Sequence, residues 1–186
     1  MGYIVFLDRD GVINIDSPDC IKTKSEFEFI PKSLEAISLL CKNGFQIIVI
    51  TNQSLIGRKI ASQKTLDTIL KKMKDDVIKA GGDIKDIFIC PHTPEDNCSC
   101  RKPKPGLILD AQKKYQINLD RTCMVGDSAK DIECARNAGC SNALLVKTGN
   151  GVKAELQLFC KGIMPDFIGS DLYEAALWII RNIPNP

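Results

Sequence analysis

Three short apolar runs in this 186-residue chain share one design, and that design limits the folds open to it. They are "YIVFLDRDG" (Tyr3–Gly11), "FQIIVITNQS" (Phe45–Ser54) and "TCMVGDSAKD" (Thr122–Asp131), each apolar without alternation and each ending abruptly in polar residues. A strand with one wet face alternates. A continuous apolar run suits a strand covered on both faces, as in a parallel sheet. "DIFIC" (Asp86–Cys90) and "NALLV" (Asn142–Val146) read as two further strands.

Helical periodicity fills the intervals. Lys32–Asn43 is apolar at Leu34, Ile37, Leu40 and Cys41 and stops at Gly44. Ser62–Ala80 is a longer amphipathic helix ending at Gly81-Gly82, Leu107–Tyr115 and Ala129–Ala138 supply two more, and a final helix spans Asp171–Arg181. Strands alternating with helices predict right-handed βαβ units and a three-layer α/β/α sandwich with a doubly wound, mainly parallel sheet. Neither a repeat nor a linker divides the chain, so residues 1–186 are expected to form one domain. Ligands of such sheets bind beyond the carboxyl ends of the strands, where the polar ends of the three runs would meet. Residues 150–186 carry no further motif and are expected only to complete the fold.

The bulk properties exclude several classes of function. Apolar content of 44% and charged content of 26% are ordinary for a globular protein, and a net charge of +2 gives no reason to expect a nucleic-acid or membrane-surface partner. No apolar run reaches the roughly 18 residues of a membrane span. The start lacks a basic segment followed by a cleavage site, so a cytoplasmic location is expected. In a reducing compartment clustered cysteines bind metal and scattered ones pack in the core. Cys41, Cys123, Cys134 and Cys140 are expected in the core, with Cys20 and Cys160 unassigned.

Asp8 and Asp10 place two carboxylates at the tip of the first strand, close enough to need a cation or a shared proton between them. Such a pair suits a nucleophile beside a proton carrier, although a solvated acidic turn would look the same. Thr51, Asn52, Gln53 and Ser54 end the second run with uncharged donors for phosphate oxygens. Asp127 ends the third and offers a carboxylate to a hard cation such as Mg²⁺, with Asp131 placed to hold a coordinated water. An N-cap opening the next helix explains that pattern equally well. Arg101 and Lys102 could complete a phosphate site.

That basic pair lies within "CPHTPEDNCSCRKPKP" (Cys90–Pro105), which contains the only histidine in the chain. Cys90, His92, Cys98 and Cys100 form Cys-x-His, five intervening residues, then Cys-x-Cys. Three thiolates and an imidazole suit tetrahedral Zn²⁺, and four protein ligands leave no open position for chemistry. The zinc is expected to hold the loop that aims Arg101 and Lys102. A cysteine phosphatase would need C-x₅-R, and a nucleotide-binding P-loop G-x₄-G-K-[ST]. Neither occurs.

"FLDRDG", "ITNQS", the lysine of "CRKPKPG" and "VGDSAKD" resemble, in order, the four signature motifs of the haloacid dehalogenase-like (HAD) phosphohydrolases. With "FEFIPKSLEAI" and the cysteine loop, the resemblance extends to about Gly149 and narrows to the heptose-bisphosphate phosphatases and the similar histidinol-phosphate phosphatases. It implies Asp8 as the nucleophile that becomes an aspartyl-phosphate and Asp10 as the general acid and then base. It also implies Mg²⁺ on Asp8, the Asp10 carbonyl and Asp127, with Thr51 and Lys102 on the transferring phosphoryl group. Asn52, Gln53, Ser54 and Arg101 would face the sugar or its second phosphate, and Asp16 in the following flap is a further substrate-contact candidate. The substrate implied is a small phosphorylated sugar, processed by a monomer without a large cap domain. Leu55 stands where the heptose enzymes usually carry glycine. A zinc-stapled binding domain without catalysis would be expected to have lost one of Asp8, Asp10, Lys102 or Asp127, and all four are present.

Overall fold

The computed structural model describes residues 2–184. Its sheet has six strands: β1 (Ile4–Leu7), β2 (Gln46–Asn52), β3 (Asp86–Cys90), β4 (Thr122–Gly126), β5 (Asn142–Val146) and β6 (Phe167–Gly169). They lie in the order β3-β2-β1-β4-β5-β6, every neighbour parallel. The chain therefore winds outward from β1 in one direction, then crosses back and winds outward in the other. Leu7 is in register with Val49 of β2 and Val125 of β4, so the ends of the three polar-tipped strands stand level at this reversal point.

Both faces of the sheet are dry, as the apolar runs predicted. Along β1, Val5 and Leu7 pack with α1 (Ser33–Lys42), α2 (Gln63–Lys79) and α6 (Leu172–Asn182), through Ile37, Leu40, Leu66, Ile69 and Ile179. Ile4 and Phe6 point the other way, into α3 (Gly106–Tyr115), α4 (Ala129–Ala138) and α5 (Gly151–Cys160), meeting Ile108, Ile132, Ala135 and Leu158. The period-2 geometry of a strand thus feeds two separate cores. In α2 the buried positions Leu66, Ile69, Leu70, Met73 and Val77 follow one helical face, and Ser62 caps the first turn by accepting from Thr65 N at 3.1 Å.

The segment after β1 is a short flap. Ile15 N donates to Glu28 O and Ile30 N to Ile13 O, closing a small two-stranded loop beside the strand tips in place of a cap domain. Among the described residues no helix is long and apolar enough to cross a membrane.

Besides the anticipated final helix, two elements, α5 and β6, fall inside the stretch expected only to complete the fold. The outward face of α5 carries Val152, Leu156 and Phe159, all exposed, so its sequence lacks the polar stripe that marks a surface helix. β6 has three residues at the sheet edge. Cys123, Cys134 and Cys140 are buried as expected. Cys41 is a correction: it is half-exposed beside the loop before β3, with its thiol against the Asp83 carbonyl at 3.5 Å. Of the two unassigned thiols, Cys160 is exposed and Cys20 half-buried.

Ile48, at the centre of β2, is fully buried, whereas Ile78 on α2 is 57% exposed. Ile48→Ala is expected to lower unfolding free energy by about 2–5 kcal/mol, while Ile78→Ala changes it by less than about 0.5 kcal/mol. Urea denaturation of the two variants checks the contrast.

Candidate active site

Asp8 follows directly from β1 and stays tied to the sheet, its N–H donating to Val125 O at 3.0 Å. Its Oδ1 accepts from Arg9 N at 2.7 Å and lies 2.8 Å from Lys102 Nζ. The Lys102 side chain is buried, donates to Ile50 O at 2.9 Å and approaches Asp131 Oδ1 at 2.6 Å, an ion contact without an aligned hydrogen bond. Asp131 Oδ2 in turn accepts from Ser128 N at 3.0 Å and Ser128 Oγ at 2.6 Å, a capping box that opens α4. Asp131 therefore caps a helix and faces the strand tips at once. Asp127 completes the group, its Oδ2 accepting from Asn150 N at 2.8 Å.

Single oxygens of Asp8, Asp127 and Asp131 lie within 4.8 Å of one another. Three buried carboxylates against one ammonium leave an excess of negative charge when all are ionised. Burial pushes the Asp8 carboxyl well above its usual range despite Lys102, and burial with the Asp131 charge pushes Asp127 up to about 7. The Lys102 ammonium moves the other way: burial would release its proton, but Asp131 and Asp8 outweigh that and raise it. Hard oxygen donors, convergent and short of positive charge, fit a divalent cation of the Mg²⁺ type.

Asp10 belongs to a different set of contacts. Arg9 reaches it through Nε at 3.1 Å and Nη2 at 2.6 Å, Asn14 Nδ2 at 2.9 Å and Gln53 Nε2 at 2.8 Å. Burial pushes Asp10 up, but the Arg9 guanidinium and these donors more than offset it and hold the carboxyl below its usual range. Gln53 Nε2 also donates to Thr51 Oγ1 at 2.8 Å, so one amide spans the threonine and Asp10. Asn52 makes a two-point clamp on the Lys102 backbone, accepting from its N at 3.1 Å and donating to its O at 3.3 Å.

Beyond the tip of β3, Cys90, His92, Cys98 and Cys100 converge, again with one donor atom of each within 4.8 Å of the others. Sulfur–sulfur separations are 3.6 Å for Cys90–Cys98, 3.4 Å for Cys98–Cys100 and 3.2 Å for Cys100–Cys90. His92 Nδ1 stands 3.3 Å from the Cys100 sulfur and 3.7 Å from that of Cys90. A tetrahedral ion with ~2.3 Å bonds to sulfur needs edges of about 3.8 Å, so the four donors already stand near that arrangement. Arg101 Nη1 folds back onto His92 O at 3.0 Å.

A family model described as HAD-hydrolase-like matches residues 99–175. A Pseudomonas aeruginosa protein named D-glycero-beta-D-manno-heptose-1,7-bisphosphate 7-phosphatase is 44% identical over 150 residues, 81% of this chain and 84% of its own. The chain belongs to the HAD-like phosphatases. A Photorhabdus laumondii relative named for the alpha anomer is 39% identical over 79% of this chain and 84% of its own. The crystal structure of the D,D-heptose 1,7-bisphosphate phosphatase from B. bronchiseptica, complexed with magnesium and phosphate, superposes with a TM-score of 0.89. It is 37% identical, covering 96% of this chain and 98% of that one.

In this HAD-like phosphatase the acids open onto a cavity of about 420 Å³ at the carboxyl edge of the sheet. Asp8, Asp10, Asp16, Thr51, Asn52, Gln53, Ser54, Lys102 and Asp127 line it together. Leu55 does too, buried in the wall. Two acid- or phosphate-site candidates from the sequence lie outside that lining: Arg101, engaged with His92 O, and Asp131, fully buried behind Lys102. Asn150, Lys153 and Gln157 line the cavity without having been anticipated. The available signal was "TGNG" (Thr148–Gly151), a glycine-rich turn directly after β5 at the same sheet edge.

Asp127 gives a pH test with a definite sign. With its native pKa near 7 against an ordinary 3.8, the metal-free native state holds a proton that the unfolded chain has released. Stability is then lost as pH rises between those values. In EDTA, Asp127→Asn should flatten the fall in unfolding free energy between about pH 4 and 7, by on the order of a few kcal/mol across the range. An unchanged slope in chemical denaturation would assign the pH dependence to other groups.

Proposed function

We propose that the chain removes the 7-phosphate of D-glycero-D-manno-heptose 1,7-bisphosphate, the beta anomer in preference to the alpha. The observation that carries this substrate is the 44% identity over 84% of the P. aeruginosa enzyme named for the beta anomer. The product would feed nucleotide-heptose synthesis for lipopolysaccharide. Histidinol phosphate is the competing substrate, of the same ester class. The enzyme acts as a one-domain cytoplasmic monomer over residues 1–186, with no nucleic-acid or membrane partner.

In this reading Asp8 attacks the phosphorus in line with the sugar oxygen. The P–O bond to C7 breaks and Asp10 gives its proton to the leaving oxygen, a step that requires bound substrate to reverse the preference of the free site for ionised Asp10. Water then attacks the phosphorus of the aspartyl-phosphate, Asp10 takes the water proton, and phosphate leaves as Asp8 is restored. Asp8, the Asp10 carbonyl and Asp127 would hold Mg²⁺, which neutralises charge between the anionic nucleophile and the anionic phosphate. Thr51 Oγ1 accepts from Gln53, leaving its own proton to donate to a phosphoryl oxygen. Lys102 supplies a fixed positive charge beside Asp8 where charge builds in the transition state. Asp16 and Ser54, both on the cavity wall, would contact the sugar, with Asn52 and Gln53 behind them and Arg101 reaching the second phosphate by leaving His92.

Zn²⁺ on Cys90, His92, Cys98 and Cys100 is structural in the same reading. These four side chains would hold it and so close the loop immediately before Lys102, with no ligand position left for substrate.

With Mg²⁺, kcat/KM for the beta anomer should exceed that for histidinol phosphate by about a hundredfold, ~2.7 kcal/mol of differential transition-state binding. Equal values would refute the heptose assignment. Asp8→Asn should lose on the order of 10³-fold or more in kcat. Purified protein should carry one zinc by elemental analysis, which Cys98→Ser with Cys100→Ser removes along with most turnover. Retained zinc in that double variant would overturn the ligand assignment.

A further inference from the structure

We infer that Thr148, Gly149 and Asn150 form a clamp that selects which oxygen of Asp127 faces the cation. The inference rests on the reading of Asp8 and Asp127 as metal ligands, and it gives a positioning role to residues beyond the four HAD motifs.

Three independent contacts converge on the same carboxylate oxygen or on the turn beside it. Asn150 N donates to Asp127 Oδ2 at 2.8 Å, with Asn150 Nδ2 on the same atom at 3.4 Å. Gly11, at φ +78°, and Gly149, at φ +55°, both close on Oδ2, and a methyl group on either would overlap it. Thr148 Oγ1 donates to Gly11 O at 2.6 Å, joining the loop after β5 to the turn after β1. Oδ2 is thereby enclosed, and Oδ1 has no protein donor among the described residues. A carboxylate whose outer oxygen is held by hydrogen bonds presents the other in a fixed direction, which is how ligand-orienting contacts tune metal affinity. Asn150 Nδ2 also reaches Asp16 Oδ2 at 3.3 Å, so the same residue ties the flap to the metal centre.

The glycines are required at these two positions for two reasons. Positive φ strains any residue with a Cβ, and the Cβ would occupy the space of Oδ2. The threonine is required because valine, its near-isostere, cannot donate to Gly11 O.

The test is calorimetric binding of Mn²⁺ to the full-length protein without substrate, for the parent, Thr148→Val, Gly149→Ala and Asn150→Ala, with a melting temperature for each. Thr148→Val and Gly149→Ala are expected to weaken Mn²⁺ roughly 10–100-fold, as loss of ligand-orienting contacts does elsewhere. Asn150→Ala, which keeps its backbone N–H, should weaken it only a few-fold. Thr148→Val removes a single hydroxyl and keeps the test decisive if Gly149→Ala does not fold. If the parent binds Mn²⁺ and Thr148→Val binds it within twofold, whatever its melting temperature, the clamp is overturned and the metal reading stands. No saturable Mn²⁺ binding by the parent overturns both.

Discussion

The ammonium of Lys102 is buried at the bottom of the cavity, and the rest of the site is arranged around that fact. A buried cation is tolerated only when opposite charge and hydrogen-bond acceptors replace water. Asp8, Asp131 and the Ile50 carbonyl do so here. Each comes from a different part of the chain: the tip of β1, the first turn of α4 and the body of β2. Lys102 itself comes from the loop after β3. No one segment could build the group. It exists because the parallel sheet brings its strand ends level at the reversal of winding.

Two anchors fix the lysine from outside. Asn52 clamps its backbone from the end of β2, and β2 itself pairs Asn52 with Cys90. Cys90 belongs to the Cys/His cluster, which closes the chain again at Cys100, two residues before Lys102. A disturbance of the cluster therefore reaches the carboxylates through a few covalent and hydrogen bonds. The acids still outnumber the lysine, and burial raises the proton affinity of Asp8 and Asp127 accordingly. A divalent ion would remove that penalty.

Most of the sheet and the acid group could be read from sequence because their signals are local. An apolar run ending in Asp8, Thr51 or Asp127 carries both its strand and its chemical end in one stretch. The cysteine cluster was equally compact. The further contacts of Asn52 and Gln53 are not legible this way: both line the cavity, and their amides also engage Lys102, Asp10 and Thr51. Those partners are distant in sequence, and only the sheet register brings them together. Arg101 differs for the same reason, since its partner is the His92 carbonyl rather than a group in the cavity. The α5 helix escaped notice because Val152, Leu156 and Phe159 give its outer face an apolar character. Asn150, at its N-cap, nonetheless holds Asp127.

The proposed chemistry depends on Asp8 as a covalent nucleophile, and the stereochemical course at phosphorus tests this most directly. Turnover of a heptose bisphosphate made chiral at the 7-phosphate with oxygen isotopes, in the presence of an acceptor alcohol, followed by analysis of the phosphate ester formed on that alcohol, counts the displacements. Attack by Asp8 and then by water or the alcohol inverts the phosphorus twice, so net retention is expected. Net inversion would mean one direct displacement by water and would contradict the role given to Asp8 and to the lysine that holds it.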